Sequence, residues 1–136
     1  MSMTNQQTLH QYLDAYNRAD WIKLADYVAP TYVHRNNDTA LGISQFMSGA
    51  RWLRAGIPDF HIEVHAMVVD EDMVAVRWEA HGTHTHSLAG EDPTDRAVTL
   101  YGITLYRFED GLIVEDWEAT DERHLRKQVG MDTGDQ

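Results

Sequence analysis

The stretch VEDWEAT, residues 114–120, places two carboxylic acids, Asp116 and Glu118, on either side of Trp117. Residues two apart on an extended strand point to the same face, with Cα atoms roughly 6.5–7 Å apart, so these acids can share one site or one water. Among apolar neighbours, expected here to be Trp117, Tyr101 and Phe108, desolvation raises a carboxyl pKa. A second acid on the same face raises one of the pair further by like-charge repulsion. One carboxyl held protonated beside one ionised is the condition for acid–base chemistry. The alternation also allows the reverse, with both acids in solvent and Trp117 alone turned inward.

Other polar residues carry weaker signals. His84 and His86 fall on one strand face, but zinc needs a third protein ligand, and neither an HExxH motif nor a cysteine pair supplies one. His61 and His65 would stand roughly 13 Å apart along a strand, too far to share an ion. No metal is therefore expected. Asp121, just ahead of a closing helix, reads as a cap rather than a catalytic acid. His34 lies at the start of a loop, where a histidine is commonly a rim residue. Trp52, Trp78 and Tyr101 either line a pocket or fill core.

The elements that must position these residues follow from periodicity. Leu9, Tyr12, Leu13 and Tyr16 repeat at i, i+3, i+4 and i+7, one face of a first helix. Trp21 to Ala29 reads as a second helix, capped by Asp20 and ended by Pro30. Residues 31–41 are polar and expected to be irregular. Ile43, Phe46, Met47, Ala50 and Leu53 mark a third helix, stopped by Gly56 and Pro58. From Asp59 the period becomes two: Phe60, Ile62 and Val64 alternate with His61, Glu63 and His65. Turns at Asp70-Glu71-Asp72 and Asp110-Gly111 divide the rest into four long antiparallel strands. A helix from Asp121 to Val129, ended by Gly130, closes the chain. Helices followed by a strand meander imply an α+β domain whose curved antiparallel sheet wraps around three N-terminal helices and encloses a pocket.

Composition narrows the partners. At 136 residues the chain suits one domain spanning 1–136. Its net charge of -11, with no basic stripe, argues against nucleic acid. No apolar run approaches membrane-spanning length, and the N-terminus lacks the order of a secretory signal, so a cytoplasmic location is expected. The absence of cysteine removes disulfides, thiol nucleophiles and thiolate metal sites.

The segments YVAPTYVH (27–34), IPDFHIEV (57–64), GTHTHSLAGEDPTDR (82–96), YGITLYRFEDGLIVEDW (101–117) and HLRKQVG (124–130) together resemble the SnoaL-like polyketide cyclases of the wider NTF2-like fold. The resemblance covers nearly the whole chain. It implies a cone-shaped domain, a homodimer or higher homo-oligomer paired through the open face of the sheet, and a small hydrophobic, carbonyl-rich substrate. It also implies an intramolecular aldol ring closure that uses a pocket acid as general base, without cofactor or metal. That acid falls on Glu118. The family's pattern on this strand is His-x-Asp, so Asp116 stands where a histidine is usual. Gly102 and Thr104 stand where cyclases carry polar side chains on the neighbouring strand, and His34 where ring-closing members point an Asn or His into the cavity. By the same resemblance Glu118, Asp116 and His34 do the chemistry and Thr104 and Gly102 contact substrate; Tyr101, Trp78 and Trp52 are the aromatic candidates to contact it as pocket lining.

Three other functions remain open to these residues. A hydroxylase would pass the substrate's enolate to oxygen. An epoxide hydrolase would need an Asp-Arg-Asp network, for which Arg77 is the candidate arginine, without a clear second Asp. A non-catalytic small-molecule-binding domain would keep the cone alone.

Overall fold

The computed structural model describes residues 3–130. Helix α1 (Asn5–Asn17) begins at a reciprocal cap: Thr4 Oγ1 accepts from the Gln7 amide while Gln7 Oε1 accepts from the Thr4 amide. Such a cap contributes on the order of 1 kcal/mol and fixes where the helix starts. The helix buries Leu9, Tyr12, Leu13 and Tyr16, the face its periodicity marks. Helix α2 (Trp21–Ala25) is capped by Asp20, as expected, but stops after five residues instead of running to Ala29.

The chain then turns into strand. β1 (Val28–Asn36) and β2 (Thr39–Leu41) form a hairpin across the segment expected to be irregular. Pro30 lies within β1 rather than ending a helix, and it falls between Val28 and Val33, where the ladder to β6 is interrupted. A proline has no N–H to donate, so a break in the ladder is where a strand tolerates one. After α3 (Ile43–Gly56) come β3 (His61–Asp70), β4 (Met73–Thr83), β5 (Ala97–Glu109) and β6 (Leu112–Thr120), then α4 (Glu122–Gln128).

The sheet thus holds six strands, not four, in the order β2-β1-β6-β5-β4-β3. Neighbours are antiparallel except for β1 and β6, which run parallel. Asp110 and Gly111, both at positive φ (51° and 80°), make the tight β5–β6 turn that their dipeptide announces. At the far end, Asp121 occupies the cap position of α4 without capping it; its Oδ1 accepts instead from the Tyr101 amide, tying α4 to β5. Tyr12, Tyr32, Phe108, Leu9 and Ile57 are among the most deeply buried core side chains. This is the α+β cone with a curved sheet and short C-terminal helix expected from the sequence.

Candidate active site

Strand pairing dictates what meets the two acids. On β6, Asp116 and Glu118 point inward and Trp117 outward, where it stays 39% exposed. Parallel β1 sets His34 opposite Asp116 and Asn36 opposite Glu118. Antiparallel β5 sets Tyr106 opposite Asp116 and Thr104 opposite Glu118. Two rows result, His34–Asp116–Tyr106 and Asn36–Glu118–Thr104, each contributed by three strands.

Asp116 is 2% exposed and both its oxygens are engaged. Oδ2 accepts from the Tyr32 hydroxyl at 2.6 Å, and Oδ1 lies 2.6 Å from His34 Nδ1. A carboxylate there draws the proton to Nδ1 and leaves Nε2 for the cavity side. His34 Nε2 stands 3.9 Å from Glu118 Oε2. The imidazole also rests against the Phe46 ring, with centroids 4.9 Å apart. Behind Glu118, the Trp78 indole donates to Thr104 Oγ1 at 2.9 Å, and the Thr104 hydroxyl reaches Glu118 Oε1 at 3.5 Å.

This setting changes how the groups titrate. Burial pushes the Glu118 carboxyl up to about 7; His34 pulls it back, and the Asp116 charge adds to the rise. Burial pulls His34 down, but its hydrogen bond to Asp116 and the charges of Asp116 and Glu118 outweigh that and leave it raised. Each of the two groups thus shifts the other: the Glu118 charge helps to raise His34, and His34 pulls Glu118 down. The phenols of Tyr12, Tyr32 and Tyr106 are raised, chiefly by burial, and remain neutral donors. The cavity in front of the pair measures about 670 Å³ and is walled largely by apolar and aromatic side chains, including Tyr12, Tyr16, Phe46 and Trp78. That is the size and character of a pocket for a small organic molecule.

A model of the SnoaL-like polyketide cyclase family matches residues 6–129. The chain belongs to that family. Its fold is shared with solved structures. AclR of Streptomyces galilaeus, a proposed hydroxylase, aligns with a TM-score of 0.86 at 25% identity, over 97% of this chain and 84% of AclR. IdmH of Streptomyces antibioticus, a proposed polyketide cyclase, gives 0.84 at 27% identity, over 94% and 99%. A proposed SnoaL-like cyclase from a Jannaschia species gives 0.82 at 20%, over 97% and 99%, a likeness of fold. No curated protein matches the sequence.

Against this SnoaL-like frame the expected site residues separate. Glu118, Asp116, His34 and Trp78 meet at the cavity, and Trp52 lies on its wall with 46% of its surface exposed. His34 is no rim residue at a loop start: it sits within β1, 6% exposed. Thr104 is buried behind Glu118 and holds it rather than forming cavity wall. Gly102 also stands behind the wall, where the Trp78 indole fills the space a side chain would need. Tyr101 points the other way, onto the outer face of the sheet, and is 50% exposed. The parity that turns Asp116 and Glu118 inward turns Tyr101 and Trp117 outward, so neither flanks the acids. Arg77 shares that outer face with Tyr101, away from Asp116, which leaves the Asp-Arg-Asp network without its arginine.

Tyr12, Tyr32 and Tyr106 escaped the sequence reading as site residues. Tyr12 carried only a helix-packing signal, Tyr106 faces Asp116 through the register of the antiparallel β5–β6 hairpin, and the contact of Tyr32 with Asp116 depends on the parallel β1–β6 pairing that no local pattern encodes. His84 is fully buried, its Nδ1 bound to Thr94, whereas His86 is exposed beside Thr85. Among the described residues no three His, Asp or Glu side chains converge on a point that suits a metal ion.

Proposed function

We propose that this protein closes a ring in a polyketide-like, carbonyl-rich substrate by an intramolecular aldol reaction, with Glu118 as general base and His34 as general acid. The observation that carries this reading is the line Asp116–His34–Glu118, with a fixed imidazole between one buried acid and one that faces the cavity. Glu118 as carboxylate removes a proton α to a carbonyl, and the C–H electron pair becomes the enolate. The enolate carbon attacks a second carbonyl of the same molecule, forming the carbon–carbon bond. The resulting alkoxide takes its proton from His34 Nε2–H. Protonated Glu118 then returns its proton to His34 across their 3.9 Å separation, restoring both groups. No proton is gained or lost, and no cofactor is required.

Each residue has a distinct task. Asp116, with both oxygens occupied, orients His34 and stabilises its charged form without touching substrate. Tyr32 holds Asp116, and Thr104 with Trp78 holds Glu118. The histidine usual at position 116 in the family is supplied from the neighbouring strand, by His34. The likeness to IdmH supports the cyclase reading. The likeness to AclR supports a second one, in which the same abstraction is followed by reaction of the enolate with dioxygen; oxygen uptake accompanying turnover would distinguish it.

The first test is deuterium exchange α to the carbonyl, in D2O, for aromatic β-keto esters, whose C–H between two carbonyls can be removed as a proton. General-base catalysis contributes roughly 10²–10⁴ in rate, so Glu118→Gln is expected to lose exchange by at least that lower factor. A variant that exchanges as fast as the parent would remove Glu118 as the base. Ligand binding without exchange in either protein would favour a non-catalytic binding domain.

A further inference from the structure

We propose that Asn36 is a further catalytic residue of this cavity: its side-chain amide donates to the carbonyl oxygen next to the carbon that Glu118 deprotonates, the oxygen on which negative charge develops. The inference rests on the reading above, in which the enolate oxygen has no protein partner, and supplies one.

Asn36 ends β1, held in register between Thr39 of β2 and Glu118 of β6. Two residues on from the inward-facing His34, it shares that face and joins the cavity lining beside Glu118. Strand propensity does not explain it, since asparagine is depleted in strands. Nor does the turn that follows. An asparagine at such a corner commonly bonds its side chain to backbone two residues on, whereas here no described residue hydrogen-bonds the Asn36 side chain. The neighbouring carboxylate does not take up the amide either: Glu118 turns Oε1 to Thr104 and Oε2 towards His34.

The chemistry gives that amide a task. Removing the α proton turns the C–H pair into a C=C bond and moves the carbonyl π pair onto oxygen, where a donor already in place lowers the barrier. The α hydrogen and the carbonyl oxygen hang from adjoining carbons, so a base and a donor on strands roughly 4.8 Å apart can meet both at once. Other groups around Glu118 are committed. Tyr32 donates to Asp116, Thr104 is buried behind Glu118, and His34 serves the second carbonyl. A neutral donor also suits the place. A lysine or arginine there would pair with Glu118 and pull its carboxyl down, weakening the base, whereas an amide binds the oxyanion and leaves that carboxyl raised. No proton crosses the hydrogen bond, which slackens when the enolate carbon forms its new bond and the carbonyl is restored.

Deuterium exchange into ethyl benzoylacetate by the full chain, followed by NMR across pH, tests the residue. Asn36→Leu, close in size but without donors, is expected to lower kcat for exchange by roughly 10²-fold while KM stays within about threefold. The rising pH limb set by Glu118 should stay in place, because one neutral side chain replaces another. A parent-like rate overturns the proposal, and so does a limb that moves, since Asn36 would then act on Glu118 and not on substrate. Asn36→Val, suited to an extended strand, takes its place should the leucine variant not fold. A second measurement needs no turnover. Glu118→Gln mimics the protonated acid that faces an enolate, and in calorimetry it should bind 4-nitrophenolate about tenfold tighter than does Glu118→Gln combined with Asn36→Leu. Equal affinity, or no binding to either, overturns the proposal. A tenfold difference, with a parent that exchanges no deuterium, keeps the oxyanion site and loses the aldol chemistry; exchange that depends on Glu118 but not on Asn36 does the reverse.

Discussion

In the proposed reaction only Glu118 ionised with His34 charged is competent for base and acid together. Activity is expected to rise with pH as Glu118 ionises around 7 and to fall as His34 loses its proton above its ordinary range, giving a bell in kcat/KM. Asp116→Asn removes a charge that holds His34 up. The falling limb should move to lower pH and the maximum should drop by roughly 10²-fold; limbs that stay in place would show that Asp116 does not tune His34.

The same titrations govern stability. Folded Glu118 binds its proton up to about 7, against an ordinary 4.5, so the folded chain holds more protons than the unfolded one between those values. Stability therefore falls as pH rises from about 4.5 to about 7, and the deficit persists above. His34, also raised, adds stability that is full below its ordinary 6.5 and is lost as pH rises through its folded value. Glu118→Gln removes the first slope. Its melting temperature should exceed the parent's at pH 8, by the equivalent of roughly 1–3 kcal/mol, and match it near pH 4. A less stable variant at pH 8 would contradict the desolvation of Glu118. At this scale the acids were legible because two residues apart on a strand is a local fact. Tyr32, 84 residues from Asp116, left no local trace.

Among the elements, β4 and β5 show how a residue without a side chain can support a site. A Cβ on Gly102 would fall within the Trp78 indole, 2.5 Å from Cε2. Gly102→Ala must displace the ring, and with it the donor that fixes Thr104 behind Glu118. It is expected to cost about 1–3 kcal/mol in urea denaturation and to slow exchange as well. Parent-like stability would mean that the indole is free to move. The helices and the β3–β6 meander were readable from their periods. β1 was not, because TYVHRNN has too few apolar residues to announce a strand, and its order comes from β2 and β6 on either side. The error mattered for function, since it placed His34 at a loop instead of opposite Asp116.

For the molecule as a whole, the resemblance foresaw a cone with a pocket, whereas the parallel closure of β1 on β6 appears only in three dimensions. That closure has a kinetic consequence. Tyr32 and His34 reach Asp116 across 84 and 82 residues of chain, while the β3–β4 and β5–β6 hairpins close over short turns. Distant pairing loses loop entropy before any contact offsets it, so refolding should assemble the meander early and the site late. In a stopped-flow experiment, ligand-binding competence is expected to return with the slowest tryptophan phase; its return with the fastest would argue against this order. During synthesis His34 must likewise wait for another 82 residues to emerge. The contact that orients the imidazole thus also marks how far translation has run, and a nascent chain cut short before Asp116 holds its imidazole against nothing.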